Sequence, residues 1–260
     1  MKGGASDLPL RLGVALALIG LAFSAMWFGG WIFWLLIGIG ALLMLSEWAG
    51  LVEGGAKRRV AQYALTVPLA LAAPAPLAMG PSWFVFGLVA GAAFFTAAVT
   101  RNGRLGWGVA YVGLPALALL YLRAQEPWTL GLLLVFWAMG LVWACDSGAY
   151  FAGRAIGGPK LAPSISPNKT WAGFIGGVIA ATAGAFGVYF LFGLPLPLVL
   201  ATPLLAMLAQ AGDLYESHLK RVAGVKDSGT LLPGHGGLLD RLDGLVAVAP
   251  VAALLVLLLT

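Results

Sequence analysis

The sequence predicts an all-α integral membrane protein: a polytopic helical bundle of about nine transmembrane helices, with the N-terminus in the cytoplasm. Three observations predict it. First, hydrophobic residues make up 61% of the 260 residues and charged residues only 10%, with a mean hydropathy of +0.95. A soluble domain carries roughly 25% charge, so 15 basic and 10 acidic side chains cannot cover a globule of this size. Disorder is excluded by the same numbers, because disordered segments combine low hydrophobicity with high charge. Second, apolar runs near the ~20 residues needed to cross a bilayer core recur along the whole chain. Third, the basic residues fall almost entirely on one side of the topology that those runs define.

In chain order, the runs predict spans at 12–28, 31–48, 60–79, 83–100, 105–122, 128–145, 172–192, 196–212 and 243–260. The first reads as a retained helix: two basic residues precede it, Lys2 and Arg11, and no small-residue cleavage site leads into a soluble domain. Gly29-Gly30 and Gly80-Pro81-Ser82 read as tight turns, Glu126-Pro127 as a stop, and Pro195 and Pro197 bracket another connection. With the N-terminus inside, 14 of the 15 basic residues are cytoplasmic, and Arg123 alone lies outside. Positive residues accumulate on the cytoplasmic side of membrane proteins, so this asymmetry fixes the orientation. Trp31, Trp34, Trp83, Trp107, Trp128 and Trp171 sit near span ends, where amphipathic rings prefer to lie. The net charge of +5 needs no nucleic-acid partner, because the same loop bias explains it. A single cysteine, Cys145, excludes an intramolecular disulfide.

The chain divides into an N-terminal transmembrane bundle, 1–122, and a C-terminal catalytic region, 123–260. Within the latter, residues 141–260 hold two long cytoplasmic segments, 146–171 and 213–242, and carry 6 of the 10 acids and both histidines. No internal repeat is visible, so the inverted-repeat signature of many transporters is not evident.

The second cytoplasmic segment concentrates the polar chemistry. Asp213, Glu216, Ser217 and Lys220 fall at i, i+3, i+4 and i+7, one face of a helix leaving the membrane. Asp240 and Asp243 are i, i+3 partners at the start of the last span. Two carboxylate pairs at helix ends suit a hard cation held by oxygen, and Lys220, Arg221, Lys226 and Arg241 suit phosphate oxygens. The bland reading of such a stripe is a solvated helix face. Carboxylates placed repeatedly at span ends argue otherwise, since charge there is costly without a partner. Gly236-Gly237 beside His235 lets the backbone approach a ligand, or is a plain turn.

In the first segment, Asp146 closes an apolar span as an intramembrane acid or as a helix-end hydrogen-bonding group. Ser164, Ser166, Asn168, Lys169 and Thr170 precede a helix, an arrangement that can bind phosphate. It is not a P-loop: Pro159 and Lys160 replace the required Lys-Ser/Thr pair after Gly158. His218 lies one residue off the polar stripe and reads as an interfacial side chain. Neither a Ser-His-Asp order nor zinc-ligand spacing occurs. Glu47 is either a buried polar contact or a helix-end residue, and the sequence does not choose between them. Lys57, Arg58 and Arg59 read as a topological anchor.

These residues resemble those of the phosphatidate cytidylyltransferases (CDP-diacylglycerol synthases). The family signature S-x-x-K-R-x4-K-D-x-G-x2-[LIF]-P-x-H-G-G-x2-D-R-x-D is met by Ser217, Lys220, Arg221, Lys226, Asp227, Gly229, Leu232, Pro233, His235, Gly236, Gly237, Asp240, Arg241 and Asp243. The stretches DSGAYFAGR, SPNKTWAG and GDLYES also look like the family's, so the resemblance is specific over about 143–244. One departure is Ala172, where the family usually has Glu.

The resemblance implies a reaction in which CTP and phosphatidate give CDP-diacylglycerol and pyrophosphate with Mg2+, a second cation being left open. It implies Asp213 and Asp240 as metal ligands. Lys220, Arg221, Lys226, Asp227, His235, Arg241 and Asp243 form the expected catalytic set, and Asp146, Ser166, Lys169, Thr170, Ser217, Gly236 and Gly237 the substrate-binding set. The expected partners are CTP, phosphatidate or a related lipid phosphate, the lipid bilayer and, by family resemblance, a second copy of the chain; no nucleic acid is expected. The expected location is a bacterial inner membrane with the active site facing the cytoplasm. Rival readings are a cytidylyltransferase for an isoprenoid ether lipid, an ion-coupled transporter and a non-catalytic scaffold.

Overall fold

Hydropathy and helix coincide along most of the chain. The computed structural model describes residues 7–232 and 236–259. Among them it contains α1 (Asp7–Phe28), α2 (Gly30–Leu51), α3 (Arg58–Leu71), α4 (Trp83–Thr100), α5 (Gly103–Arg123), α6 (Trp128–Ile156), α7 (Trp171–Phe192), α8 (Leu196–Val222) and α9 (Leu239–Leu259). A two-stranded antiparallel hairpin, β1 (Lys160–Ala162) and β2 (Ser166–Thr170), lies between α6 and α7. Seven helices, α2 and α4–α9, are long and apolar enough to cross a membrane, and α1 adds an apolar stretch at Ile19–Phe28. Large apolar side chains such as Phe94 (78% exposed) and Phe190 (76%) point outward, an arrangement that lipid solvates and water does not. The chain is an all-α integral membrane protein.

Two sequence expectations need correction, the span at 60–79 and the helix-end alternative for Asp146. The span predicted at 60–79 is the 14-residue helix α3, ending at Leu71. At 1.5 Å per residue it is about 21 Å long, short of a bilayer core of about 30 Å. Pro74 and Pro76 follow closely, and proline can neither donate to the helix nor leave its predecessor in α geometry. Helix α3 is thus not among the seven helices long and apolar enough to cross. The segment 146–171 is not a loop throughout, because α6 runs on to Ile156 and ends where Gly157 takes φ +68°. Asp146 accordingly lies well inside a helix and is neither a cap nor a helix-end group. By contrast, α8 continues to Val222, as the helical spacing of Asp213, Glu216, Ser217 and Lys220 predicts.

The chain forms two compact units, one of Met1–Gly113 with Val225–Arg241, the other of Leu114–Gly224 with Leu242–Thr260. The division thus falls within α5 and α9, and the loop that carries much of the signature belongs with the N-terminal helices.

In the first unit, indole and amide donors tie helices together through backbone carbonyls. Trp34 Nε1 donates to Leu69 O at 2.8 Å, Trp48 Nε1 to Arg104 O at 2.9 Å, and Gln62 Nε2 to Leu42 O at 3.1 Å. Asn102 caps α5 by accepting from Leu105 N at 3.0 Å, and Lys57 Nζ donates to Thr100 O at 2.6 Å.

The second unit is built on close helix contact. A Cβ on Gly148 would strike Ala180 and the Gly176 carbonyl, and one on Gly176 would strike Ala152. Small residues therefore let α6 and α7 approach backbone to backbone, the usual solution where lipid removes the hydrophobic drive between helices. Further links are Trp137 Nε1 to Thr202 Oγ1 at 3.1 Å, joining α6 to α8, and Gln210 Nε2 to Phe174 O at 3.0 Å, joining α8 to α7. Gly212 packs against the Asp243 carbonyl, which brings α9 to α8. This packing places Asp146, Asp213 and Asp243 on three adjoining helices.

Candidate active site

In the second unit, α6, β2, the start of α7 and α8 surround a cavity of about 480 Å3. Its polar lining includes Asp146, Asn168, Lys169, Thr170, Gln210 and Asp213, with the Tyr150 and Phe174 rings beside them. The hairpin explains how Lys169 gets there. β2 runs straight into α7, and Thr170 turns its hydroxyl back to accept from Gly173 N at 3.1 Å. That cap fixes the residue before it, and Lys169 Nζ lies 2.6 Å from Asp213 Oδ2. On the other oxygen, Oδ1 accepts from Ser217 Oγ at 3.3 Å, one helical turn along α8. Asp146, Asp213 and Asp243 are close enough to interact electrostatically, with Lys169 the cation among them.

The rest of the α8 stripe is tied up within the unit. Glu216 is fully buried and pairs with Lys220 Nζ at 2.7 Å, the i,i+4 spacing that the sequence displays. Arg221 is exposed and its Nε donates to Ile165 O at 3.3 Å, tethering the end of α8 to the hairpin turn. His218 is exposed. Ser166, at the start of β2, pairs in register with Ala162.

In the first unit, the signature loop folds around two carboxylates. Asp240, in the first turn of α9, accepts on Oδ2 from Ser228 N at 2.9 Å, from Gly237 N at 2.8 Å and from Ser228 Oγ at 3.0 Å. Leu232 N donates to Gly236 O at 2.9 Å. Gly236 has φ +83°, and a Cβ there would meet Asp240 Oδ2. Lys226, Asp227 and Arg241 are exposed. The predicted residue His235 lies outside the described residues.

The sequence reading gave Glu47 no functional role; its carboxylate is buried on α2 and accepts from Leu238 N, Leu239 N and Ser228 Oγ. Of its two alternatives, the buried polar contact is the one found. Gln210 and Tyr150 were missed as cavity residues, whereas Asn168 lies in the cavity beside Lys169 and Thr170, the group read as a phosphate site. A glutamine inside an apolar helix is itself a signal, and Gln210 was open to that reading.

Among the described residues, no three His, Cys, Asp or Glu side chains are gathered closely enough to form a metal cage. The donor chemistry nonetheless fits magnesium: Asp146, Asp213 and Asp243 supply hard carboxylate oxygens, and Mg2+ takes one or two of these, filling its octahedron with water and substrate phosphate. Zinc or copper chemistry has no support there, since the only cysteine, Cys145, is buried and engaged with Ala206 O.

Taken together, a membrane-embedded helical bundle bears a polar cavity of mixed charge, where carboxylates face lysine and hydroxyl groups at a hairpin. Such a site suits an anionic substrate accompanied by a divalent cation. The profile of the cytidylyltransferase family matches residues 9–259, and the chain belongs to that family. Curated relatives named phosphatidate cytidylyltransferase include one from Brucella suis biovar 1 (strain 1330), 52% identical over 169 residues, covering 62% of this chain and 61% of the relative. One from Bacillus subtilis (strain 168) is 50% identical over 123 residues, 46% of each chain. One from Haemophilus influenzae (strain ATCC 51907 / DSM 11121 / KW20 / Rd) is 49% identical over 131 residues, 46% of this chain and 44% of the relative. The matched part thus spans about three fifths of the Brucella protein and less than half of the other two.

Proposed function

We propose that this protein transfers the cytidylyl group of CTP to phosphatidate, giving CDP-diacylglycerol and pyrophosphate for phospholipid biosynthesis. The observation that carries the reading is the Lys169–Asp213 pair at 2.6 Å on the wall of the second unit's cavity, inside the sequence motifs shared with the family. A phosphate oxygen of the lipid attacks the α-phosphorus of CTP and forms the new P–O bond. The bond from that phosphorus to the α–β bridging oxygen breaks, and the electron pair leaves with pyrophosphate. The reactants together bear roughly −5 to −6 near neutral pH. Charge compensation and alignment therefore dominate, and little general-base work is required.

Magnesium, when bound, supplies part of that compensation and leaves a second cation open. Asp213 is assigned as its ligand, with Asp146 and Asp243 supporting; Asp240 is assigned to the metal on the motif alone. Lys169 would neutralise a nucleotide phosphate, and Asp213 beside it would be the carboxylate that holds the metal. Ser166, Thr170 and Ser217 flank it. On the motif alone, Lys220, Arg221, Lys226 and Arg241 are assigned to the remaining phosphate charge, and Asp227, His235, Gly236 and Gly237 to substrate binding or catalysis. We assign this chemistry to the cytoplasmic face of a bacterial inner membrane, where CTP is available; the basic residues gathered in segments 146–171 and 213–242 support that side. A homodimer completes the proposal on family grounds.

The test uses purified protein in nanodiscs with radiolabelled CTP, Mg2+ and either phosphatidate or an isoprenoid ether lipid phosphate. A CDP-lipid formed from phosphatidate, with little from the ether lipid, is the expected result. Preference for the ether lipid would replace the substrate, and ion flux without any CDP-lipid would replace the class.

A further inference from the structure

Outside the reacting groups, the most demanding polar arrangement in the first unit belongs to Glu47. Its carboxylate sits on a membrane-spanning helix, is 9% exposed, and has no charged partner among the hydrogen bonds it makes. Burial of a carboxylate in such a helix is unfavourable unless the lone pairs are satisfied. Here they are: Oε1 accepts from Leu238 N at 2.9 Å, and Oε2 from Leu239 N at 2.8 Å and Ser228 Oγ at 3.2 Å. All three donors come from the signature loop, the two amides 191 and 192 residues away in sequence.

The start of α9 shows why a remote acceptor is needed. The first N–H groups of a helix lack internal partners, and a local Ser, Thr, Asp or Asn usually caps them. The residue before α9 is Leu238, which has no acceptor. Asp240 turns back to take Gly237 N, and Glu47 takes the next two amides, its charge favoured by the positive end of the helix. Ser228 Oγ lies between the two carboxylates, 3.2 Å from Glu47 Oε2 and 3.0 Å from Asp240 Oδ2. The backbone records the same requirement. A Cβ on Gly237 would run into Ser228 Oγ and the Glu47 carboxylate, and one on Gly229 would lie 2.9 Å from Glu47 Oε1. Two signature glycines are thus bare where Glu47 enters.

We propose that Glu47 is a positioning residue for the reaction: by holding the Ser228 turn and the start of α9, it fixes the carboxylate of Asp240. This rests on the cytidylyl-transfer reading above for its link to catalysis, though not for the anchor itself.

The experiment compares wild type, Glu47→Gln, Glu47→Asp, Ser228→Ala and the Glu47→Gln/Ser228→Ala double variant as full-length protein in nanodiscs. Glu47→Gln keeps the side-chain volume but replaces one acceptor oxygen with a donor. Misplacement on the ångström scale can reduce rates by up to about 100-fold. We expect kcat to fall about tenfold or more in Glu47→Gln, with KM for CTP changed by less than about threefold. Glu47→Asp should recover part of the loss. Because both changes act on one network, the double variant should be little slower than Glu47→Gln alone. Amide exchange should quicken at Ser228, Gly237, Leu238 and Leu239 and stay unchanged along α6–α8. A kcat within twofold of wild type, unchanged exchange at those four amides, or faster exchange throughout the chain would each overturn the proposal. If wild type turns over neither CTP nor phosphatidate, the reaction reading fails, and local exchange in Glu47→Gln decides the anchor by itself.

Discussion

Lys169 Nζ lies 2.6 Å from Asp213 Oδ2, with Asp146 and Asp243 near enough to add to the negative field around the pair. The contact joins the end of a β-strand to α8, and among the described residues it is the ion pair between the cavity's cations and this group of carboxylates. The pair is about a quarter exposed, at 22% and 30% for its side chains, so solvent and substrate both reach it.

Lys169→Met should therefore have two effects of opposite sign. Losing the ammonium removes a phosphate partner, and kcat/KM for CTP should fall by about 100-fold, within the range seen when a charge-stabilising donor is removed. Losing a cation that competes for Asp213 should strengthen the site's attraction for a divalent ion, so the Mg2+ concentration at half-maximal rate should drop. Steady-state titrations of Mg2+ and CTP check both. A rise in the Mg2+ requirement would show that Lys169 helps to form the metal site.

Asp213→Ala and Asp240→Ala should each reduce pyrophosphate release by at least about 1,000-fold, the scale of removing a group that stabilises transferring phosphoryl charge. Both proteins should elute from size exclusion like wild type. Near-normal activity in either would remove that residue from the metal assignment.

The α6–α7 contact predicts a stability effect remote from chemistry. Gly176→Val puts two methyl groups where even a Cβ strikes Ala152. Overpacking of this kind typically destabilises by about 1–3 kcal/mol, and thermal unfolding in detergent should show a lower Tm. Gly187→Val, with open space around it, should leave Tm nearly unchanged.

Orientation can be tested with single cysteines, because the native Cys145 is fully buried and should stay unlabelled. A membrane-impermeant thiol reagent should label Ser164→Cys in inside-out vesicles and Ala124→Cys in right-side-out vesicles. Both positions are exposed, so access depends only on side. The reverse pattern would place the hairpin outside and contradict the cytoplasmic site.

Much of the fold was legible because a bilayer imposes a simple rule, about 20 apolar residues per crossing. The rule failed where helix and hydropathy part company. Residues 72–79 are apolar, yet Pro74 and Pro76 end α3, whereas Asp146 through Ile156 are mixed in polarity and stay helical until Gly157. The hairpin at 160–170 escaped because its strands have three and five residues, too few to show an alternation. For the site, the i,i+4 pairs of α8 could be read from spacing, and the signature carried the rest of that region. Spacing did not reveal that Lys220 is already engaged by buried Glu216. Nor does local sequence tell Glu47 that its partners stand at 228 and 238–239; only the folded chain brings them together.

The central claim is tested most directly by pyrophosphate release from the purified protein given CTP, Mg2+ and phosphatidate, each omitted in turn, with ATP as the control nucleotide. The account predicts release only when all three are present, none with ATP, and loss of the signal in Asp213→Ala. Release that persists without phosphatidate, or no release at all from protein that remains folded, would contradict it.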